Sequence, residues 1–359
     1  MTGSAQPTLA GVDDHFPIGD PSAPVVEADD LVTWLRTPRG PARAVDGISL
    51  RIAAGQTLGV VGESGSGKTM LSRSVMGLLP RRIVERLDGT VRYRGVEVPR
   101  HDETALRRLW GREMAMVFQN PLTSLNPVVP IGRQISESLA HHYDMGRDER
   151  REHALELLRS VGLPEAEHRL GSFPHELSGG MRQRVVIAIA LACGPGLLIA
   201  DEPTTALDVT VQRQILDLLD QQRRERSMAM MLITHDLAVV AGRADEVAVV
   251  YAGQVVERAP AAELFASPRH PYTRALLDSI PSPVQPSHAR LDAIAGRPPD
   301  LVAPPDGCRF APRCAYVTDA CRVAVPELVE AQGSVAGVGG RPTREVRCIH
   351  PVASSEGLS

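Results

Sequence analysis

Residues 62–69 read Gly62-Glu63-Ser64-Gly65-Ser66-Gly67-Lys68-Thr69, the pattern G-x-x-x-x-G-K-T. Such a run can hold phosphate. Gly62, Gly65 and Gly67, with small Ser64 between them, let successive backbone N–H groups point into one concavity. A helix start behind them adds partial positive charge. Lys68 would reach the β- and γ-phosphates of a nucleotide, and the Thr69 hydroxyl would ligate Mg²⁺. The flanks favour this over a chance glycine-rich turn. Leu58-Gly59-Val60-Val61 reads as a short strand, and Leu71, Val75, Leu78 and Leu79 recur at helical spacing. The chain holds 39 Lys and Arg, and Lys68 is its one lysine. Arginine serves wherever charge alone is wanted; the ammonium is kept where a planar guanidinium does not substitute.

A second group of candidates follows. Leu197-Leu198-Ile199-Ala200 is an apolar strand ending in Asp201-Glu202. A carboxylate at the C-terminal end of such a strand is placed to hold Mg²⁺ through its water shell, the role expected of Asp201. Glu202 would polarise an attacking water. An acidic turn ahead of Pro203 is the plain alternative. Ser178-Gly179-Gly180 opens another helical run, with Ser178 as N-cap and two glycines leaving backbone N–H groups bare. In isolation that reads equally as an ordinary capped helix or as a second anion cradle.

The stretch Leu177-Ser178-Gly179-Gly180-Met181-Arg182-Gln183 resembles the LSGGQ signature of ATP-binding cassette (ABC) ATPases, with Met181 in the usual glutamine place. The other cassette motifs stand in the expected order. Phe118-Gln119 is similar to the Q-loop, Thr205-Ala206-Leu207-Asp208 to the D-loop and Ile233-Thr234-His235-Asp236 to the switch histidine. The resemblance implies that Gln119 senses Mg²⁺ and water and that Asp208 lies at a dimer seam. It also implies that His235 contacts the γ-phosphate, and that Ser178, Gly179 and Gly180 close on the γ-phosphate held by a second subunit. The family also stacks adenine on an aromatic side chain. No aromatic stands near Arg39, so either Trp34 or an arginine plane could stack.

Phe118-Gln119-Asn120-Pro121-Leu122-Thr123-Ser124-Leu125-Asn126-Pro127 contains both asparagines of the chain, each before proline. This run resembles one ABC subfamily, the ATPases of oligopeptide, dipeptide and nickel importers. Leu177–Leu191, Asp201–Gln214 and His270-Pro271-Tyr272-Thr273-Arg274-Ala275-Leu276-Leu277 resemble it too. The resemblance implies an ATPase energising peptide import, with a nickel or other small-solute importer as the alternative. The implied partners are a second ABC ATPase subunit, two transmembrane permease subunits and an extracytoplasmic substrate-binding protein. The implied location is the cytoplasmic face of the cell membrane.

Cys308, Cys314, Cys321 and Cys348 are spaced C-x5-C-x6-C-x26-C. Four cysteines in a small cytosolic segment could hold tetrahedral Zn²⁺ or a [4Fe–4S] cluster, and this spacing matches neither the zinc-ribbon nor the ferredoxin pattern. The run resembles the C-terminal domain of peptide-importer ATPases, which implies the iron–sulfur cluster; zinc, or no metal at all, are the alternatives. Cys193 is expected simply to be buried.

The elements that must position these groups alternate. β-like runs fill Val25 to Leu58, including Asp30–Leu35 and Gly47–Ile52, and Gly89–Val98 reads as one more strand. Helices are expected over Ile131–Tyr143, Asp148–Val161, Ser178–Cys193 and about Val209–Arg226. Strands are expected at Met228–Ile233 and Glu246–Tyr251. That alternation predicts an α/β fold with a largely parallel sheet. With the resemblance, it becomes an ABC-type nucleotide-binding domain: a phosphate-loop core, an antiparallel β subdomain and a helical subdomain at about 120–178. A small cysteine-containing C-terminal domain would follow. Residues 1–24 read as a disordered tail, 25–280 as the ATPase domain and 281–359 as a proline-rich linker with the cysteine domain.

Composition narrows the function classes. Apolar residues make up 43 % and charged residues 23 %, as in soluble globular proteins. A net charge of −4 offers no basic field for nucleic acid. No run of about 20 apolar residues occurs, nor a basic stretch leading into an apolar one at the N-terminus, so neither a membrane span nor a signal peptide is expected. A soluble ABC ATPase acting on DNA would carry a long insertion between Lys68 and Leu177, and no heptad run is present there. Translation-factor ABC proteins place two cassettes in one chain; here there is one.

Overall fold

The computed structural model of the chain describes residues 16–17, 19–205, 207–280, 294–331, 334 and 343–352. Most of the expected N-terminal tail, the prolines at 281, 283 and 286, and Ala206 of the D-loop run lie outside the described residues. The strands, in chain order, are β1 (Val26–Thr37), β2 (Gly40–Ile52), β3 (Thr57–Val61), β4 (Val84–Tyr93), β5 (Val96–Glu97), β6 (Met114–Val117), β7 (Leu197–Asp201), β8 (Ala229–Thr234), β9 (Glu246–Tyr251), β10 (Gln254–Pro260), β11 (Val329–Glu330) and β12 (Glu345–Val346). The helices are α1 (Lys68–Met76), α2 (Glu103–Leu109), α3 (Pro121–Ser124), α4 (Ile131–His142), α5 (Arg147–Ser160), α6 (Ala166–Arg169), α7 (Gly179–Leu191), α8 (Val209–Arg226), α9 (Leu237–Val240), α10 (Ala261–Ala266) and α11 (Pro271–Asp278).

The chain forms two compact units. One comprises residues 27–51, 57–91 and 232–359 and carries the phosphate loop. Its β2, β1 and β4 lie side by side, and the short Pro38-Arg39 link between β1 and β2 makes that pair antiparallel. In its other sheet β3 runs parallel to β9, with Leu58 opposite Glu246 and Val61 opposite Val249. β3 and β9 are buried along almost their whole length, as strands covered on both faces must be. β10 returns antiparallel to β9 with an irregularity between Val255 and Glu257. β12 then pairs with β10, Glu257 opposite Val346, and β11 pairs with β12. The C-terminal cysteine segment therefore continues the edge of this sheet.

The other unit comprises residues 1–26, 52–56 and 92–231. β6 runs parallel to β7, Met114 opposite Leu197 and Val117 opposite Ala200. Helices α4, α5 and α7 pack on one another, and α7 also meets β6 and α8. α7 is the central piece. Gln183, Val185, Val186, Ile187, Ala188, Ala190 and Leu191 are all buried, so its apolar residues run round the helix instead of forming one stripe.

Two expectations shift. The run read as one strand at Gly89–Val98 is broken by a two-residue turn, Arg94 and Gly95, with φ of 47° and 81°. β4 and β5 pair across it, Tyr93 opposite Val96, as a hairpin with positive φ at both turn residues requires. β6, four buried residues reading Met-Ala-Met-Val, shows no alternation from which a strand could be predicted.

Candidate active site

In the first unit β3 feeds the phosphate loop, which ends at α1. Gly67 is the helix N-cap at φ 104°, and a Cβ there would lie 2.1 Å from the Ala44 carbonyl oxygen. Only glycine permits that approach, and it turns the loop so that Lys68 begins the helix. Lys68 is 5 % exposed, and its Nζ donates to the carbonyls of Gly62 at 2.7 Å and Glu63 at 2.9 Å. The loop thus holds its ammonium on its own backbone. The Ser66 hydroxyl is buried without a hydrogen-bond partner. A buried hydroxyl left without a partner in a glycine-rich loop is open to a ligand.

The loop is gripped from the C-terminal segment. The Glu63 N–H donates to Tyr272 Oη at 2.8 Å, and the Glu63 carboxylate takes Arg313 Nη1 at 2.6 Å and Nη2 at 2.9 Å. Tyr272 lies on α11, whose N-cap His270 accepts the Tyr272 N–H at 3.0 Å through Nδ1. That accounts physically for His270-Pro271-Tyr272: a cap, a proline at the first helical position, and a tyrosine aimed at the loop. His235 stands exposed just past the end of β8, followed by α9, whose N-cap Asp236 accepts the Ala238 N–H at 2.8 Å.

In the second unit Asp201 is the last residue of β7 and is 2 % exposed. Glu202 follows at φ 46°, a left-handed conformation that costs a non-glycine residue about 1 kcal/mol or more. Gln119, after β6, donates from Nε2 to Glu202 Oε2 at 2.8 Å, and Thr205 Oγ1 donates to the same oxygen at 3.0 Å. The parallel pairing of β6 with β7 brings Gln119 and Glu202 together. Ser178 caps α7, its Oγ accepting the Met181 N–H at 3.3 Å, and Ser178 and Gly179 are exposed. Asp208 caps α8, accepting the Val211 N–H at 2.9 Å. The starts of α7 and α8 approach closely: a Cβ on Gly180 would lie 2.7 Å from Val211 Cγ1, and one on Gly179 3.5 Å from Leu207 Cδ2.

Trp34 lies on β1, with its indole N–H donating to Asp46 Oδ1 at 2.9 Å. The guanidinium carbons of Arg43 and Arg86 lie 4.9 and 4.8 Å from its ring centroid. Arg39 instead pairs with Asp300.

Cys308, Cys314, Cys321 and Cys348 line one small cavity together with His270, Phe310 and His350, and all four are free thiols. Burial pushes the Cys308 and Cys314 thiols up, and the Cys348 thiol up to about 11. Among the described residues, no group of three or more His, Cys, Asp or Glu side chains is gathered closely enough to hold a single metal ion. Cys193 is buried as expected, and that burial pushes its thiol up to about 12.

Sequence reasoning did not single out Glu63, Tyr272 or Arg313 as interacting groups. Glu63 occupies a position of the phosphate-loop pattern that any residue fills, and its partner Arg313 is 250 positions away. Arg313 stands directly before Cys314, and that adjacency is the one signal the sequence offered.

Comparison with known proteins bears on the whole constellation. Residues 45–205 match the family model described as ABC transporter, and residues 256–321 match the oligopeptide/dipeptide transporter C-terminal region. The chain is 47 % identical over 305 residues to the oligopeptide transport ATP-binding protein AppD of Bacillus subtilis, covering 85 % of this chain and 93 % of that one. It is 47 % identical over 307 residues to the dipeptide transport ATP-binding protein DppD of Escherichia coli, covering 85 % and 92 %. Among solved structures it resembles the ATP-binding cassette MJ0796 in a dimeric form bound to ADP and Pi. The TM-score there is 0.58 at 27 % identity, over 66 % of this chain and 98 % of that one.

Proposed function

The chain belongs to the ATP-binding subunits of peptide-type ABC importers, and from that premise we propose how its own residues drive the cycle. ATP hydrolysis by this subunit powers peptide import. Residues 62–69 cradle the triphosphate, with Lys68 leaving the Gly62 and Glu63 carbonyls for the β- and γ-phosphate oxygens. Thr69 of the first unit, and Gln119 and Asp201 of the second, are the residues that would hold Mg²⁺, which would neutralise charge on the phosphates. The adenine stacks on the surface made by Trp34 and its overlying arginine planes.

The exposed start of α7 is the observation that carries the dimer reading. Bare N–H groups at Ser178–Gly180 face solvent at the positive end of a 13-residue helix. They suit the γ-phosphate on a second ATP-binding subunit, just as a phosphate suits any open helix start. Val209, 83 % exposed beside the cap Asp208, is an apolar side chain that such a partner would cover. With the subunits closed, His235 contacts the γ-phosphate. Glu202 takes a proton from water as the water oxygen bonds to γ-phosphorus, and the bond to the bridging oxygen breaks to release ADP. The hydrogen bonds from Gln119 and Thr205 hold that carboxylate until closure.

Phe118 at 39 % and Val128 at 77 % exposure flank the Q-loop run and suit the permease subunits. No helix among the described residues is long and apolar enough to cross a membrane. As an importer ATPase the subunit would act at the cytoplasmic face through two permease partners, with an extracytoplasmic binding protein delivering peptide.

The four C-terminal cysteines would hold a [4Fe–4S] cluster. They share one cavity without converging on a point. A [4Fe–4S] cluster takes one thiolate per iron, and four thiols line the cavity. The Tyr316 N–H approaches Cys314 Sγ at 3.4 Å, the kind of backbone contact that sets a cluster's potential. When bound, the cluster would cross-link the segment.

Replacing Glu202 by Gln tests the catalytic assignment. ATP should still bind, the dimer should accumulate with ATP in sizing experiments, and turnover should fall about 10²–10⁴-fold. Unchanged turnover would remove Glu202 from the proton-accepting role.

A further inference from the structure

The grip of the cysteine segment on the phosphate loop has a chemical consequence. Glu63 puts a carboxylate into a loop whose task is to hold a triphosphate, and an uncompensated negative charge there repels the ligand. Arg313 neutralises it with a two-point contact. The remaining Arg313 donors are also used: Nε to the Ala295 carbonyl at 2.9 Å, Nη2 to Ile294 at 3.2 Å and Nη1 to Tyr251 Oη at 3.4 Å. Its side chain is 3 % exposed. A guanidinium held by every one of its N–H groups has one orientation available.

That orientation is set by the backbone between two of the cavity's thiols. The Cys308 N–H bonds to the Cys321 carbonyl at 2.8 Å, Ala311 N–H to Cys308 at 3.0 Å and Arg313 N–H to Phe310 at 2.9 Å. Gly307 fits because a Cβ there would lie 2.3 Å from the Cys321 oxygen. Phe310 packs on Tyr251 and Tyr272 with ring centroids 5.3 Å from each. A displacement of Cys308 or Cys314 is therefore carried to Arg313. From there it reaches Glu63, whose carbonyl also receives Lys68 Nζ.

We propose that Arg313 is a positioning residue for the phosphate loop, and that through it the state of the four-thiol cavity and nucleotide binding at the loop are coupled. This rests on residues 62–69 being the ATP site. Coupling of this kind is reciprocal: whatever shifts the thiols shifts ATP affinity, and ATP shifts the thiols by the same factor.

Equilibrium ATP binding to the full chain is to be compared for wild type, Lys68→Ala, Arg313→Gln, Glu63→Gln and the double variant Glu63→Gln/Arg313→Gln. Arg313→Gln should weaken binding about tenfold by exposing the Glu63 charge, and adding Glu63→Gln should restore affinity to within about threefold of wild type. A merely structural role for Arg313 would leave the double variant no better than the single. Normal binding by Arg313→Gln, or no recovery in the double variant, overturns the proposal. Binding by Lys68→Ala at wild-type strength overturns the ATP-site reading itself, a different result from loss in Lys68→Ala with Arg313→Gln unaffected.

A second readout follows the thiols. Iodoacetamide labelling of Cys308 and Cys314, located by mass spectrometry in full chain stripped of any bound metal by chelator under anaerobic reducing conditions, should slow several-fold with saturating ATP in wild type. In Arg313→Gln it should not respond. An equal response in both proteins, or none in wild type, overturns the coupling.

Discussion

Glu202 shows what a site asks of one residue. It follows a buried strand, precedes proline and sits in a left-handed conformation that an unbranched acid tolerates poorly. The conformation holds its carboxylate where Gln119 and Thr205 reach the same oxygen. Lys68 is the complementary case, a nearly buried ammonium whose Nζ donates to two carbonyls of its own loop. His142 makes a prediction at this scale. Burial first, then the charges of His141 and Arg112, push its pKa down to about 4 from an ordinary 6.5. Between those values the unfolded chain binds a proton that the folded chain refuses. The stabilisation is therefore full above pH 6.5 and is lost as pH falls towards 4. Urea melts at pH 7.5 and pH 5 should show this loss in wild type, and His142→Gln should show a smaller one. Equal losses would put the acid sensitivity elsewhere.

At the scale of elements, the starts of α7 and α8 form a pair. Gly180 lets α7 approach Val211 on α8, and the caps Ser178 and Asp208 fix both helix entries. Gly180→Ala places a methyl against a stiff β-branched side chain and should cost about 1–3 kcal/mol, as overpacking does. Val211→Ala in the same chain should recover part of it. Thermal melting of the single and double variants checks this, and a neutral Gly180→Ala would show that the helices separate freely. α4, α5, α7 and α8 were legible in the sequence within a residue or two, α4, α5 and α8 by their apolar spacing and α7 by its long apolar run behind the cap Ser178. β6 and β10 were not. The first is too short to show a period, and the second is buried at nearly every position, so it presents no alternation.

On the scale of the whole chain, the cysteine segment extends the sheet through β12 and β11 and grips the phosphate loop through Arg313, instead of standing off behind a linker. Arg309 from the same segment pairs with Asp46 and donates to the Ala252 carbonyl; Arg347 N–H joins the Val256 carbonyl at 2.8 Å. The metal content of the anaerobically purified chain tests what the cavity holds. About four irons and four acid-labile sulfides per chain, lost in Cys308→Ser, are expected for one [4Fe–4S] cluster. One zinc per chain would make the cross-link a zinc site, and no metal would leave the cavity lined by free thiols.

The sequence by itself determined the family, the phosphate loop, the signature and switch motifs and the alternating α/β order. These are carried by residue types at short, fixed spacings, where local backbone geometry dictates which side chain can serve. Gly67 must be glycine, Ser178 must cap, and Asp201 must end a buried strand. Only the tertiary structure decided that Gln119 meets Glu202, that Arg43 and Arg86 lie over Trp34, and that Arg313 neutralises Glu63. Apart from Arg43 and Trp34, on neighbouring strands, those pairings join residues far apart in the chain. Strand register and packing bring them together, and no local spacing encodes either.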